Sequence, residues 1–403
     1  MRILLANHTS AYSGAEESLL RVAAGLRCAH DVVVACPDRG PLAAAVDGEG
    51  LPRLVLPAVE ASLRLHPLRT PAGLAQLVAG GVALARAARR CRADVIHANT
   101  PRTGLMGAVA RGLGAPPIVV RAHEHVPLTP VGRGVRAVLV RTASAVVAVS
   151  DDTARRFDEG LGRPVAERVY NSIDHARFDP ARVRPAPLRE ELGLPPGAAL
   201  LGQVAQITPW KGQATAVRAL AALRATGVEA HLLLVGEVAF GGKAVRYDNH
   251  AYLAELQRLV DDLGVRDAVH LLGRRADVPA VLRAVDLHLL PSHEEPFGLV
   301  TVESMALGTP PLVGADGAGP ELVQDGVTGR VVASRDPGAW AAAAGALLAD
   351  PETMARLSAA GPEAARRFSD DVHASEMLAI YARAAAPAVR GTAAAREAAP
   401  WPS

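Results

Sequence analysis

Two short stretches hold most of the residues whose types and spacing could do chemistry. The first runs from Pro291 to Pro310 and reads Pro-Ser-His-Glu-Glu-Pro-Phe-Gly-Leu-Val-Thr-Val-Glu-Ser-Met-Ala-Leu-Gly-Thr-Pro. A strand pattern ends at Pro291, a turn follows, and a short helix begins near Gly298 and stops at Gly308. The start of such a helix offers unpaired backbone N–H groups and a partial positive charge, which suits an anion, and a glycine lets the backbone approach closely. Two carboxylates, Glu295 before the helix and Glu303 inside it, can reach different parts of one extended ligand. Alone, such a pair also fits a helix-terminal charge and a solvated helix residue. The second stretch, Val204-Ala205-Gln206-Ile207-Thr208-Pro209-Trp210-Lys211-Gly212-Gln213, follows directly on another strand pattern. The chain is rich in arginine but has only two lysines, Lys211 and Lys243. A lysine beside a glycine at a helix start therefore stands out as a fixed cation.

Weaker stretches also follow strand patterns. Gly273-Arg274-Arg275-Ala276-Asp277-Val278 fits either a ligand loop or surface charge. Asn7–Glu17 carries Ser13-Gly14 ahead of a helix expected over Ser18–Leu26. In Arg121-Ala122-His123-Glu124-His125 the two histidines could bind a metal, but no further cluster of Cys, Asp or His has ligand spacing. His97 reads best as a satisfied core histidine, and Asn99 and Thr100 open a loop after it. No G-x-G-x-x-G follows the first strand, which disfavours a dinucleotide-binding dehydrogenase.

The elements that must position these residues are legible as apolar runs. In the first half they are Arg2–Ala6, Asp31–Ala35, Arg53–Leu56, Asp94–His97, Pro117–Arg121 and Ala145–Val149. In the second they are Leu200–Ala205, His231–Val235, Val269–Leu272, Leu287–Leu290 and Pro311–Val313. Continuous rather than alternating runs, separated by helical patterns, imply parallel strands buried on both faces. The expected fold is α/β, with two doubly wound parallel-sheet domains facing each other across a cleft, where ligands of such sheets bind. The length of 403 residues fits two domains. Expected divisions are a first domain over 1–170, a Pro-rich linker over 171–196 and a second domain over 197–368. A helix over 369–388 packs back on the first domain, and a disordered tail covers 389–403.

Net charge is only +2, but residues 1–185 hold 24 Arg or Lys against 16 Asp or Glu, a net +8, leaving −6 for the remainder. A basic first half suits an anionic acceptor or an anionic membrane surface, equally with scattered solvated arginines. Cys28, Cys36 and Cys91 lack paired spacing and read as small buried hydrophobes of a reducing cytosol. The N-terminus turns polar too soon for a signal peptide, and the stretches around Ala72–Ala85 and Gly338–Ala349 read as too short or interrupted to span a bilayer. The protein is expected in the cytoplasm, with no nucleic-acid partner.

The Pro291–Pro310 stretch closely resembles the donor-site motif of glycosyltransferase family 4, the large retaining GT-B family. The likeness continues through Gly317-Ala318-Gly319-Pro320-Glu321 and Asp325-Gly326-Val327-Thr328-Gly329 and covers nearly the whole chain. It implies that Glu295 contacts hydroxyls of the transferred sugar, that amides around Phe297, Gly298, Leu299 and Val300 hold sugar and phosphate oxygens, and that Glu303 binds the ribose. Lys211 would stabilise the charge building on the leaving nucleoside diphosphate. The family usually pairs that lysine with an arginine five residues earlier, where this chain has Gln206. The resemblance further implies that Arg275 lies in the loop over the base, that Gly14 faces the diphosphate, and that His123 faces sugar and acceptor. The expected reaction is transfer from a nucleoside-diphosphate sugar, UDP first among bases, to a hydroxyl acceptor with retention of configuration. No cofactor is expected, and no metal, because no Asp-x-Asp ends a strand. Two other classes fit a two-sheet architecture: a non-hydrolysing nucleotide-sugar epimerase, against which the Glu295–Glu303 pair argues, and a nucleotide-sugar binding protein without catalysis, for which Gln206 is the one hint.

Overall fold

Alternate residues of the first strand serve two different cores. In β1 (Arg2–Ala6) Leu4 and Ala6 pack into one layer with Ile96, Ile118 and Val120, while Ile3 and Leu5 pack into the opposite layer with Val34, Val95 and Val119. Burial on both faces removes any need for polar alternation, which is why the strand reads as an unbroken apolar run.

The structure is a computed structural model that describes residues 1–60, 69–238 and 247–386. Lys243, most of the polar stretch after residue 240 and the tail expected to be disordered lie outside the described residues. The first half continues with β2 (Asp31–Cys36), β3 (Arg53–Val55), β4 (Val95–Ala98), β5 (Ile118–Ala122), β6 (Ala145–Ala148) and β7 (Ala166–Arg168). The second holds β8 (Ala199–Val204), β9 (Ala230–Val235), β10 (Val269–Gly273), β11 (Leu287–Leu290), β12 (Pro311–Gly314) and β13 (Arg330–Val332). Among the described residues these form two sheets, in the orders β3-β2-β1-β4-β5-β6-β7 and β10-β9-β8-β11-β12-β13. Every pairing is parallel; Leu4, for example, lies opposite Val33 on one side and Ile96 on the other. In each sheet the order reverses beside the first strand of its half, next to β4 and next to β11. A crevice opens there at the carboxyl ends of the strands.

The 171–196 stretch is not a loose connector. Ile173, Phe178 and Leu188 are buried, and a short helix spans Leu188–Glu191. The last helix, Asp370–Ala385, leaves the second half and crosses to the first. Ala374, Met377, Ile380 and Tyr381 join Leu19, Val22 and Leu26 of the Gly14–Leu26 helix in one core.

Three sequence expectations are corrected. The first helix starts at Gly14, not Ser18, because Ser13 and Glu16 form a capping box, with the Ser13 N–H donating to Glu16 Oε2 at 3.0 Å. Cys36 is buried, but Cys91 is half-buried and Cys28 exposed. The helix Arg69–Arg90 is long and apolar enough, by length and composition, to cross a membrane. In this fold its Leu77, Leu84, Ala85 and Ala88 lie in the first core, and Gly80 and Gly81 sit directly on Met106 and Val109 of the neighbouring Pro101–Gly112 helix.

Candidate active site

The cleft between the two sheets encloses about 600 Å³. Its floor on the second half is the loop between β11 and the helix Leu299–Ala306. Glu294 holds a φ of 63°, unusual for a residue with a side chain. The next residue, Glu295, bridges to Gly317, and its carbonyl accepts from Ala318 N at 2.9 Å. Gly298 caps the helix at φ 94°, and a Cβ there would stand 3.0 Å from Leu290 Cδ2, so the turn admits only glycine without strain. Leu299 and Val300, the first helical residues, line the cleft, and helix-start N–H groups have no partner within their own helix. Phe297 contributes backbone to the wall, while its ring is buried against Tyr170 and Phe368.

Lys211 arrives from the other side of the same floor. Thr208 leads into one tight turn, Pro209–Lys211, and Gly212 follows at φ 74°. A Cβ on Gly212 would fall 2.0 Å from Pro291 O, so glycine is what lets this turn close on the β11 loop. Lys211 Nζ lies 2.7 Å from Glu295 Oε2 and 4.1 Å from the Trp210 ring centroid. The side chains are only 16% and 8% exposed, which makes this pair the shielded ion pair of the cleft. Gln206 lines the wall beside it and is held through its carbonyl by Gln213 Nε2 at 2.7 Å.

Glu303 faces the cleft from the second turn of the helix and is buried. Nothing among the described residues donates a hydrogen bond to its carboxylate. Burial, with the negative Glu17 across the cleft as second cause, pushes its pKa up to about 8, while Arg177 and Arg21 act the other way.

The first half supplies the opposite wall. Gly14 lies where the halves touch: a Cβ there would be 3.1 Å from Leu299 Cδ1. His8 Nδ1 sits 3.0 Å from Thr100 Oγ1, and burial brings the imidazole down to about 3. His123 lines the cleft with Nε2 3.1 Å from Asn99 Oδ1, and Arg102 pairs with Glu124 at 3.0 Å. The halves are fastened by Glu321, whose two carboxylate oxygens accept from the N–H groups of Asp151 and Asp152 at 2.7 Å each. Thr153 Oγ1 donates to Pro296 O at 3.2 Å, and Arg156 pairs with Glu294 at 3.2 Å. The β11 loop is thus gripped from both sides.

The structure therefore brings together Lys211, Glu295, Glu303, Gln206, Phe297, Gly298, Leu299, Val300, Gly14 and His123. Arg275 is not among the residues lining the cleft: its guanidinium is bound by Asp277 at 2.6 and 2.8 Å and lies 3.6 Å from Glu191, while Val278 of the same segment lines the cleft. An acidic neighbour two residues on competes for that side chain. His125 also turns away, to Asp152 at 3.1 Å. Arg177 lines the cleft unannounced, because one arginine in an arginine-rich linker gives no spacing signal.

The model of the family described as "Glycosyl transferases group 1" matches residues 186–364, and that of "Glycosyltransferase Family 4" matches residues 12–177. A D-inositol 3-phosphate glycosyltransferase of Salinispora arenicola is 33% identical over 76% of this chain and 72% of its own length. A GDP-mannose-dependent alpha-(1-6)-phosphatidylinositol monomannoside mannosyltransferase of Mycolicibacterium smegmatis is 34% identical over 64% of this chain and 67% of its own. Among solved structures, Anabaena Alr3699/HepE in complex with UDP and glucose superposes with a TM-score of 0.80 at 25% identity, covering 95% of this chain and 99% of that one.

Proposed function

The chain belongs to the family 4 (group 1) glycosyltransferases, of GT-B type, and we propose that it moves a sugar from UDP to an acceptor hydroxyl with retention of configuration and without a metal. The observation that carries this reading is the shielded Lys211–Glu295 pair, set beside the helix start at Gly298–Val300 and in one cleft with the Glu303 carboxylate, to which none of the described residues donates a hydrogen bond. Glu303 accepts from the ribose hydroxyls, the Leu299 and Val300 amides hold phosphate oxygens, and Glu295 positions the sugar. As the bond from C1 to the phosphate oxygen breaks, Lys211 stabilises the charge left on that oxygen. The acceptor oxygen bonds to C1 on the same face, and its proton passes to the departing phosphate. The protein supplies positioning and electrostatics.

UDP is favoured as the base by the Anabaena complex, and GDP, named for the M. smegmatis relative, is the competitor. With excess chelator present, UDP at about 100 times its dissociation constant is expected to stabilise the protein by roughly 2.7 kcal/mol, read as a thermal shift. A shift with GDP alone would replace the base. A UDP shift that appears only when divalent metal is restored would overturn the metal-free reading.

The acceptors in the relatives' names, an inositol phosphate and a phosphatidylinositol mannoside, are polyhydroxylated and anionic, which suits the basic first half. We place the enzyme in the cytoplasm, touching the inner face of the membrane when its acceptor is lipid-linked. The Arg69–Arg90 helix exposes Leu74 and Val78 along one side and Arg86, Arg89 and Arg90 at its end. Binding to vesicles is expected to rise with anionic lipid and to fall with salt, because exposed charges are screened over about 8–10 Å at ordinary ionic strength. A protein that stays unbound in flotation at low salt on strongly anionic vesicles would point to a soluble acceptor instead.

A further inference from the structure

A buried run of polar side chains leads from the last helix to the cleft. Tyr381 OH lies 2.6 Å from His97 Nδ1, His97 Nε2 lies 3.3 Å from Asn99 Oδ1, and His123 Nε2 lies 3.1 Å from the same oxygen. Asn99 Nδ2 donates to the Ala15 carbonyl at 3.0 Å, and a carbonyl can only accept. That contact fixes the amide, so its oxygen faces both imidazoles and both must donate to it. Each ring is neutral. Burial, then the charge of Arg121, takes His97 down to about 3 and holds His123 well below the usual range. A neutral imidazole has one proton, so in both rings it sits on Nε2. His97 Nδ1 is then bare and accepts the Tyr381 hydroxyl proton, and His123 Nδ1 is bare as well. Arg121, wholly buried and tied to Val169 O at 2.8 Å and Asn171 Oδ1 at 2.9 Å, keeps the run free of added charge.

We propose that Tyr381, His97 and Asn99 are positioning residues that hold His123 as its Nε2–H tautomer, so that its Nδ1 accepts a hydrogen bond from a substrate hydroxyl in the cleft. The proposal rests on the reading of that cleft as the donor and acceptor site. Without the Tyr381 hydroxyl, the His97 proton can move to Nδ1, and Asn99 Oδ1 loses one of the two donors that, with the Ala15 carbonyl, oppose any turning of the amide. In the molecules whose amide then turns, at the expense of the Ala15 bond, His123 presents an N–H where the substrate offers one too. Two donors face each other and the contact is lost. The last helix thus carries, through Tyr381, a condition for the geometry of the opposite wall.

The test is a long-range 1H–15N spectrum of the full chain labelled in histidine, with the His123 signals identified by their loss in His123→Ala. The wild type is expected to show His123 neutral with the proton on Nε2. Tyr381→Phe and Asn99→Leu are expected to show mixed tautomers and turnover about 3- to 10-fold lower, the scale of one hydrogen bond. Ile380→Val, which trims the buried face of the same helix without touching the run, is expected to keep both tautomer and turnover. Loss in donor hydrolysis as well as in transfer assigns the hydroxyl to the sugar, and loss in transfer alone assigns it to the acceptor. His123 charged or protonated on Nδ1 in the wild type overturns the proposal. So does a Tyr381→Phe variant that slows turnover with its tautomer intact, or that changes neither. Should the spectra match while no nucleotide sugar is turned over, the functional reading fails and the tautomer assignment stands.

Discussion

Lys211→Ala lowers turnover about 100- to 1000-fold, the usual cost of removing one transition-state donor, and Gln206→Ala stays within about tenfold. Both side chains line the cleft on the same strand-to-helix turn, but only one carries charge. Loss of a nucleoside diphosphate puts negative charge on an oxygen at the helix start, where the Gln206 amide can donate a hydrogen bond and nothing more. In the empty protein Lys211 is already fixed by Glu295 and by the Trp210 ring, so little reorganisation is needed when the charge develops.

The same pairing makes the single variant ambiguous, because it strands a carboxylate that is 8% exposed. Breaking a buried pair costs up to about 3–5 kcal/mol of stability, whereas removing both charges is often neutral. The Lys211→Met, Glu295→Gln double variant is therefore expected to regain the lost melting temperature and none of the activity. Single-turnover transfer and thermal unfolding, measured on all variants together, separate the two effects. Equal small losses for Lys211→Ala and Gln206→Ala would show that the diphosphate is held elsewhere, with Arg177 and Arg102 the cations to examine next.

Lys211 was legible in the sequence for a compositional reason: against so many arginines a lysine stands out. The strands were legible because parallel strands buried on both faces leave continuous apolar runs. β7 and β13 were not: each is a sheet edge three residues long, Ala-Glu-Arg is nearly without apolar residues, and Arg-Val-Val is followed by Ala-Ser, whereas the equally short edge strand β3 shows because its apolar run continues into Leu56. The start of the first helix was written as Ser13 and Glu16, a capping pair, but the glycine between them drew the reading toward a loop. Arg275 shows the opposite case. It stands on a loop after a strand, as its place in the sequence implies, but its direction is set by Asp277, and side-chain direction follows from local competition that spacing does not encode. The Tyr381–His97–Asn99–His123 run joins residues far apart in sequence, and only the crossing of the last helix brings Tyr381 to the β4 end. The grip of Glu321 on Asp151 and Asp152 is likewise a product of two halves folding face to face.

Glu303→Gln should make the empty protein more stable in alkali and weaken its hold on the donor. The carboxyl has a pKa near 8 in the fold, against an ordinary 4.5, so folding takes up a proton between those values. Its contribution to stability is then complete below about pH 4.5 and is lost as pH rises through about 8. The cause is burial, aggravated by Glu17, and glutamine has no proton to lose. Wild-type and variant melting temperatures are expected to coincide below about pH 4.5, to separate from there to about pH 8 with the variant higher, and to stay apart by a constant amount above it. Donor binding moves the other way. Ribose hydroxyls donate to this oxygen, and hydrogen bonds to an ionised acceptor are roughly twice as strong as neutral ones. Wild-type affinity for UDP should therefore rise as pH passes about 8. The variant should bind about 10- to 100-fold more weakly in alkali, in keeping with about 1.5–3 kcal/mol for a hydrogen bond to a charged group, and with a flat pH profile. Titration calorimetry at pH 6 and pH 9, set beside melting curves at the same values, reads both effects at once. A variant whose stability and UDP affinity both track the wild type across that range would mean that Glu303 does not meet the ribose and that its burial is a matter of packing alone.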